Sequence, residues 1–289
     1  MAITNFIPEI WSAAVLEALQ EQAVIAPLVN RDYEGEVRRG NKVNITGVVV
    51  PTVKDYATGE NGNPRTTSAE ALNEDADSLT IDQEKAFDFY VDDIDRVQAA
   101  GSFDAWTTAA GRALANDADA FIAARMFLQG TALQTSISDI FDTQNVTPGD
   151  AAHRVIRDAN KAMNKANIPD GERVAFINAE FEAALLDAES KITSFDTSGD
   201  TMGLRNATIG RYLGFRIVRS NLLPVVNAPA AVFVWQPSVA YVSQINETEA
   251  LRHHEKFADR IRGLHVYGAK VIDVDNYPQG VQVYAEAES

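Results

Sequence analysis

Residues 51–77 read PTVKDYATGENGNPRTTSAEALNEDAD, and beyond Val53, Tyr56 and Leu72 they carry almost no large apolar side chain. A strand pattern stands on each side, KVNITGVVV over residues 42–50 and SLTIDQEKAFDFYV over residues 78–91. A long structureless connection inside a compact domain normally counts against the elements it joins. The conflict goes away if the segment is a β-hairpin excursion that packs on another copy of the chain. So polar an arm has too little apolar surface to offset its own ordering entropy. The chain reads as a part of a larger assembly.

Charge narrows what that assembly can hold. The net charge is −16, from 25 Lys plus Arg against 41 Asp plus Glu. A protein that grips DNA by neutralising phosphates needs the opposite balance on its contact face. The densest basic groups are Arg38 with Arg39 and the scattered Arg205, Arg211, Arg216 and Arg219. An acidic wall instead suits enclosing nucleic acid without adhering to it. At 289 residues the chain can bury a real core in one or two domains. Its 46% hydrophobic and 23% charged residues are ordinary for globular protein, and no stretch approaches the ~20 apolar residues of a membrane span. The first residues, MAITNFIPEIWSAAVLEALQEQ, hold Glu9 and Glu17 inside their apolar pattern and lack a basic leader. They read as a short amphipathic helix after Pro8, with Ile10, Ala14, Leu16 and Leu19 for burial, and not as a signal peptide. With no cysteine, disulfides, thiolate catalysis and cysteine-ligated zinc are excluded.

Along the chain, Gly35 and Gly40 mark turns before the first strand. Asp92, Asp93 and Asp95 suit a helix N-terminus, where the dipole favours negative charge. A helix is predicted over about 102–128, with Phe103, Trp106, Ala110, Leu114, Ala118, Phe121 and Ile122 at three- and four-residue spacing. Ser102 is its candidate N-cap and Gly130 its stop. At roughly 40 Å such a helix is a spine on which a thin sheet can be laid. Thr147, Pro148 and Asp150 read as N-cap, N1 and N3 of a next helix, with Ala152, Val155, Ile156, Ala159, Met163 and Ala166 on one stripe. A turn at Pro169, Asp170 and Gly171 leads to a buried strand RVAFI (173–177), and Asn178 caps a helix to about Glu189. An α/β region therefore starts near residue 145. Residues 190–203 read as a polar loop. Strands follow at 215–219 and 230–236, then a stretch over 247–274 punctuated by Gly263 and Gly268. A final strand pair is predicted from KVIDV (270–274) and VQVYA (281–285).

No arranged chemistry emerges. His254 and Glu255 begin an H-E-x-x-H pattern whose second histidine is replaced by Ala258, and only 4 histidines occur, His253 among them. Asp92, Asp93 and Asp95 lack the glycine and distant glutamate of a calcium loop. There is no G-x-S-x-G, P-loop or G-x-G-x-x-G pattern. Gly59 and Gly62 read as the turn at the arm tip, and Trp11, Trp106 and Trp235 as core residues. No residue is assigned as catalytic, cofactor-binding or metal-ligating.

The order of elements does resemble a known family. An N-terminal arm beginning at Ile7, Pro8, Glu9, Ile10 and Trp11, a long hairpin arm opened by Val53, Lys54, Asp55 and Tyr56, a spine helix, an α/β region and a β-rich close are similar to the HK97-fold major capsid proteins of tailed bacteriophages. The run LGFRIVRSNLLP from Leu213 to Pro224 and FADRIRGL from Phe257 to Leu264, with Tyr267 and Gly268, resemble segments of that family. The resemblance covers essentially the whole chain. It implies an α+β HK97-like capsid fold with an N-terminal arm, a long β-hairpin E-loop, a spine-helix P-domain and an α/β A-domain. The corresponding divisions are 1–41, the N-terminal arm; 42–91, the hairpin with its extended E-loop; 92–145, the P-domain with the spine; 146–245, the axial A-domain; and 246–289, the return to the P-domain.

Through that resemblance the implied function is a major capsid protein that self-assembles as hexamers and pentamers into an icosahedral head enclosing double-stranded DNA, with no enzyme activity and no cofactor. It is implied to assemble in the bacterial cytoplasm. The implied partners are copies of itself, a separate scaffolding protein, a portal and a decoration protein, with no membrane. The scaffold follows because Met1 lies only a few residues before the arm, with no long helical extension ahead of it. Inter-subunit contacts are expected at Lys54, Tyr56, Glu60 and Arg65 of the arm, met by Asp259, Arg260 and Arg262 on a neighbour. An isopeptide bond from Lys54 to Asn276 is weighed against ordinary charge contacts, which are preferred. The rivals are an encapsulin-type protein shell, an acidic hydrolase and a monomeric carbohydrate- or host-binding module.

Overall fold

A computed structural model of the chain describes residues 23–35, 41–48, 51–53, 69, 71, 74–92, 104–133, 148–186, 210–252, 256–272 and 280–285. Strands β1 (Lys42–Val48) and β2 (Glu74–Thr80) pair antiparallel, from Lys42 opposite Thr80 to Val48 opposite Glu74. Their alternation puts Val43, Ile45 and Leu79, followed by Ile81, into one small core with Ala240, Val242 and Ile272. The opposite face keeps Asn44 and Thr46 exposed. The polar residues 74–77 thus belong to a strand and not to a loose arm, and Asp77 is tied to Lys270 by an ion pair.

The predicted single strand over 78–91 is two strands in different sheets. The chain breaks at Ile81 and Asp82, and β3 (Gln83–Asp92) crosses to a three-stranded sheet of order β3–β10–β9. The other members are β9 (Val239–Arg252) and β10 (Ala258–Val271). Close backbone approach explains the break: a Cβ on Gly268 would lie 2.5 Å from the Thr80 carbonyl oxygen and 2.9 Å from Ile81 Cα. Asp92 accordingly ends a strand opposite Ala258 and does not start a helix; Asp93, Asp95 and Ser102 lie outside the described residues.

The spine α1 (Asp104–Gln129) runs 26 residues and stops at Gly130, whose N–H donates to the Met126 carbonyl at 2.8 Å. Ala118, Ile122, Ala123 and Met126 are buried, while Phe121 sits at the rim with its ring edge-on to Tyr267. Short β4 (Thr131–Ala132) follows, then α2 (Pro148–Lys165) with proline leading, β5 (Arg173–Ile177) and α3 (Ala179–Leu185). Asn178 caps α3 as expected: its Oδ1 accepts from Phe181 N–H at 2.9 Å and from Ala230 N–H at 3.0 Å. Its Nδ2 donates to the Ala228 carbonyl at 2.6 Å. Helix α3 ends at Leu185, short of the predicted Glu189, because Leu186 already leaves the helical region. Ala166, placed on the buried stripe of α2, is exposed. The helix ends at Lys165, Asn167 turns with φ 57°, and Ile168 fills the place instead.

A six-stranded sheet of order β4–β11–β8–β5–β7–β6 forms the largest layer, with β6 (Arg211–Tyr212), β7 (Phe215–Arg219), β8 (Ala230–Trp235) and β11 (Val281–Ala285). One face packs Val174, Phe176, Val232, Val234, Val281 and Val283 against α1. The other packs Ala175, Ile177, Ala231, Phe233 and Tyr284 against α2 and α3. Both faces being covered is why RVAFI reads as a continuous apolar run without alternation. The expected pairing of 270–274 with 281–285 does not occur. Strand β10 ends at Val271 in the three-stranded sheet, and β11 joins β8 and β4.

Candidate assembly surface

The three-stranded sheet positions the charged residues singled out on the C-terminal segment. In antiparallel register, Arg262 stands between Asp88 and Glu249, and Arg260 between Tyr90 and Leu251. Opposed residues share a face, so these side chains form two rows on one surface. Arg262 donates through Nε and Nη2 to Glu249 Oε2 at 2.9 and 2.6 Å. Arg260 reaches diagonally to Asp88, its Nε at 2.9 and 3.0 Å from the two carboxylate oxygens, and lies 5.7 Å from the centre of the Tyr90 ring. The fork holds the Asp88 carboxyl below its ordinary range, first through the hydrogen bonds and then through charge. On this face lies an open groove of about 400 Å³ that Ala86 and Leu264 also line. Tyr90, Leu251 and Leu264 are exposed apolar groups on this face, and Phe257 stands 81% exposed just before β10.

The opposite face is held by the spine. Phe87 lies over Gly263, where a Cβ would come within 2.3 Å of the ring. Lys85 meets Asp117 of α1 at 3.5 Å, and Tyr267 Oη donates to Asp117 Oδ2 at 2.7 Å. Asp259 falls on this second face by alternation, so the structure does not join it to Arg260 and Arg262 in one row. Lys54, Tyr56, Glu60 and Arg65 lie outside the described residues, as do His253, His254 and Asn276. Arg260 and Arg262 each have a carboxylate within their own chain.

Two polar devices escaped the sequence. Asp119 on α1 is fully buried, and its carboxylate accepts three backbone N–H groups, from Val24 at 2.6 Å and from Ile25 and Ala26 at 2.8 Å. Burial pushes its pKa up, and those three donors oppose the rise. It clamps the segment leading from residue 23 onto the spine. An acid beside Ala118, Phe121 and Ile122 in an apolar stripe is the signal that could have found it. His265 is buried with Nε2 at 3.1 Å from Ser243 Oγ and 3.4 Å from Tyr241 Oη, and its ring is 4.7 Å from that of Tyr267. Burial lowers the His265 pKa against the pull of Asp117 and Glu34, and it pushes Tyr241 up to about 12. Among the described residues no group of three or more His, Cys, Asp or Glu is arranged to hold a metal ion, and no described helix is long and apolar enough to cross a membrane.

Helices thus cover both faces of the six-stranded sheet, while the three-stranded sheet presents a charged, open face. The chain matches the family model described as phage capsid protein over residues 75–283, and it belongs to that family. It is a phage major capsid protein, a structural component of the virion, with the HK97-like fold. It is similar to a solved chain of Mycobacterium phage Che8, 49% identical over 98% of both chains with a TM-score of 0.85. The capsid of cyanophage P-SCSP1u shares the fold at 15% identity, covering 98% of this chain and 94% of that one, with a TM-score of 0.77. The mature capsid of bacteriophage PhiM1 does so at 14% identity, 96% and 91% coverage and a TM-score of 0.72. No curated protein matches the chain.

Proposed function

We propose that the chain builds an icosahedral phage head as hexamers and pentamers around double-stranded DNA, with residues 49–73 reaching across a neighbouring copy. The observation that carries this is the β1–β2 ladder, which starts and ends an excursion of polar chain from Val48 to Glu74. Lys54, Glu60 and Arg65, with Tyr56, would meet the surface around Asp259, Arg260 and Arg262, exchanging in-chain ion pairs for ones between subunits. Single exposed pairs contribute about 0–1 kcal/mol, so they set registration while many repeated interfaces set stability. The six-stranded sheet with α2 and α3 would be the axial A-domain, and α1 with the three-stranded sheet the peripheral P-domain. The net charge of −16 keeps the wall from trapping DNA, with counter-ions screening the remaining repulsion. A scaffolding protein, a portal and a decoration protein would complete a head assembled in the bacterial cytoplasm, without catalysis by this chain.

Negative-stain electron microscopy of the purified chain, with and without a scaffolding protein, tests the proposal. Closed shells or rings of five and six subunits are expected, and persistent monomers under both conditions would sink it. Charge reversal at Arg65 is expected to impair capsomer joining while the circular dichroism spectrum stays that of the parent chain; normal heads from that variant would refute the arm contact.

A further inference from the structure

The hairpin formed by β6 and β7 closes on a two-residue loop, Leu213 and Gly214, with φ values of 47° and 88°. Positive φ at both loop positions is the primed turn that suits hairpin twist, and it favours Asn-Gly or Gly-Gly. A leucine there is strained, and this one is exposed. In the same hairpin Arg211 stands directly opposite Arg216, an arrangement of like charges that destabilises a ladder. Both arginines are exposed, and among the described residues neither side chain has a hydrogen bond or an ion pair. In a chain with 41 acids against 25 bases, two adjacent unpaired guanidinium groups are conspicuous.

The hairpin is not loose. Tyr212 Oη lies 2.5 Å from His153 Nδ1 on α2, with the rings edge-on at 5.6 Å. Phe215 is fully buried, and Ile217 N–H donates to the Gly210 carbonyl at 3.2 Å. The fold therefore holds rigidly, at a sheet edge, a like-charge pair and a strained exposed leucine that nothing among the described residues offsets.

We propose that this hairpin is a subunit-contact element, with Arg211 and Arg216 receiving carboxylates of a second copy and Leu213 covered by an apolar patch of that copy. The acidic chain itself supplies the complementary charge. Leucine decides against nucleic acid as the partner, since phosphate neutralisation has no use for an exposed apolar side chain. The inference rests on the shell proposal above.

The test compares the full-length parent chain with R211E/R216E and with L213N, by thermal unfolding and by sedimentation velocity with electron microscopy. Asparagine suits the turn, so L213N is expected to melt no lower than the parent. Both variants are expected to need about tenfold more protein to assemble. Assembly of both at parental concentrations would overturn the inference alone. So would an L213N variant that melts lower, because Leu213 would then be serving its own chain. Particles of R211E/R216E that form normally but lose retained DNA would overturn it in favour of a nucleic-acid contact. If R211E/R216E fails to fold, L213N decides the matter by itself. A parent chain that forms no particles at all would sink the shell proposal and this inference with it.

Discussion

The two main sheets of this protein solve the same problem in opposite ways. The six-stranded sheet is covered on both faces, and β5 and β8 are buried along almost their entire length. The three-stranded sheet is covered on both faces only where the β1–β2 core lies against Ala240 and Val242; beyond that, one face is open, and β3 alternates between half-buried and exposed residues from Gln83 to Tyr90. Its exposed face carries two arginine–carboxylate pairs, and among the described residues the outer edge of β3 has no strand beside it, while that of β9 meets only the bridge from Asn30 to Ala240. Charged side chains on open edges deter indiscriminate strand pairing. The first sheet buries both faces within one chain and offers another copy only its β6–β7 edge, whereas the second leaves a charged face open, the one proposed to meet another copy. Stability and assembly are thereby divided between regions, and substitutions should affect them separately.

Phe233→Ala should give the largest effect. Phe233 is fully buried, edge-on to Phe215 with ring centres 5.1 Å apart, and its truncation is expected to cost about 3–5 kcal/mol in denaturant unfolding of the unassembled chain. A small loss would mean that the closed sheet is not the source of stability. Asp119→Ala comes next. It strands three N–H donors at the start of the described chain, with an expected loss of about 1–3 kcal/mol and faster amide exchange at Val24, Ile25 and Ala26. Unchanged protection there would break the clamp assignment.

A pH series probes the join between the sheets and the spine. Because the His265 pKa is lower in the folded chain than in the unfolded one, the unfolded state binds the proton more readily. The contribution is complete above about pH 6.5 and declines as pH falls below it, with a limiting slope of about 1.4 kcal/mol per pH unit. Replacing His265 with Gln should remove that part of the slope, and an unaltered profile would exclude His265 as its source. Arg262→Ala is expected to change monomer stability by about 0–1 kcal/mol while slowing assembly followed by light scattering. A large stability loss with normal assembly would reverse the comparison.

Much of the closed region was legible in the chain. RVAFI, the Asn178 cap and the apolar stripe of α2 each follow from local pattern, because both faces of the strand and one face of the helix are buried. Less could be read where partners are distant. The break at Ile81 depends on Gly268 pressing against the backbone from far along the chain, which no property of residues 78–91 encodes. The final strands were each found but wrongly paired, since adjacency in sequence does not select between two sheets. Of the candidate contact residues, Arg260 and Arg262 were recognised as surface charges, but Asp88 and Glu249 as their partners come only from register.

Composition, periodicity and capping residues by themselves determined an acidic chain of mixed helices and strands, with a spine helix and a polar excursion between strands. These are local properties, expressed within a few turns or a few residues. Tertiary structure alone decided which strands share a sheet, which acid is buried against backbone N–H groups, and which arginines meet no carboxylate among the described residues. Those outcomes depend on contacts between segments far apart in the chain, whose free energy exists only once both surfaces have been brought together.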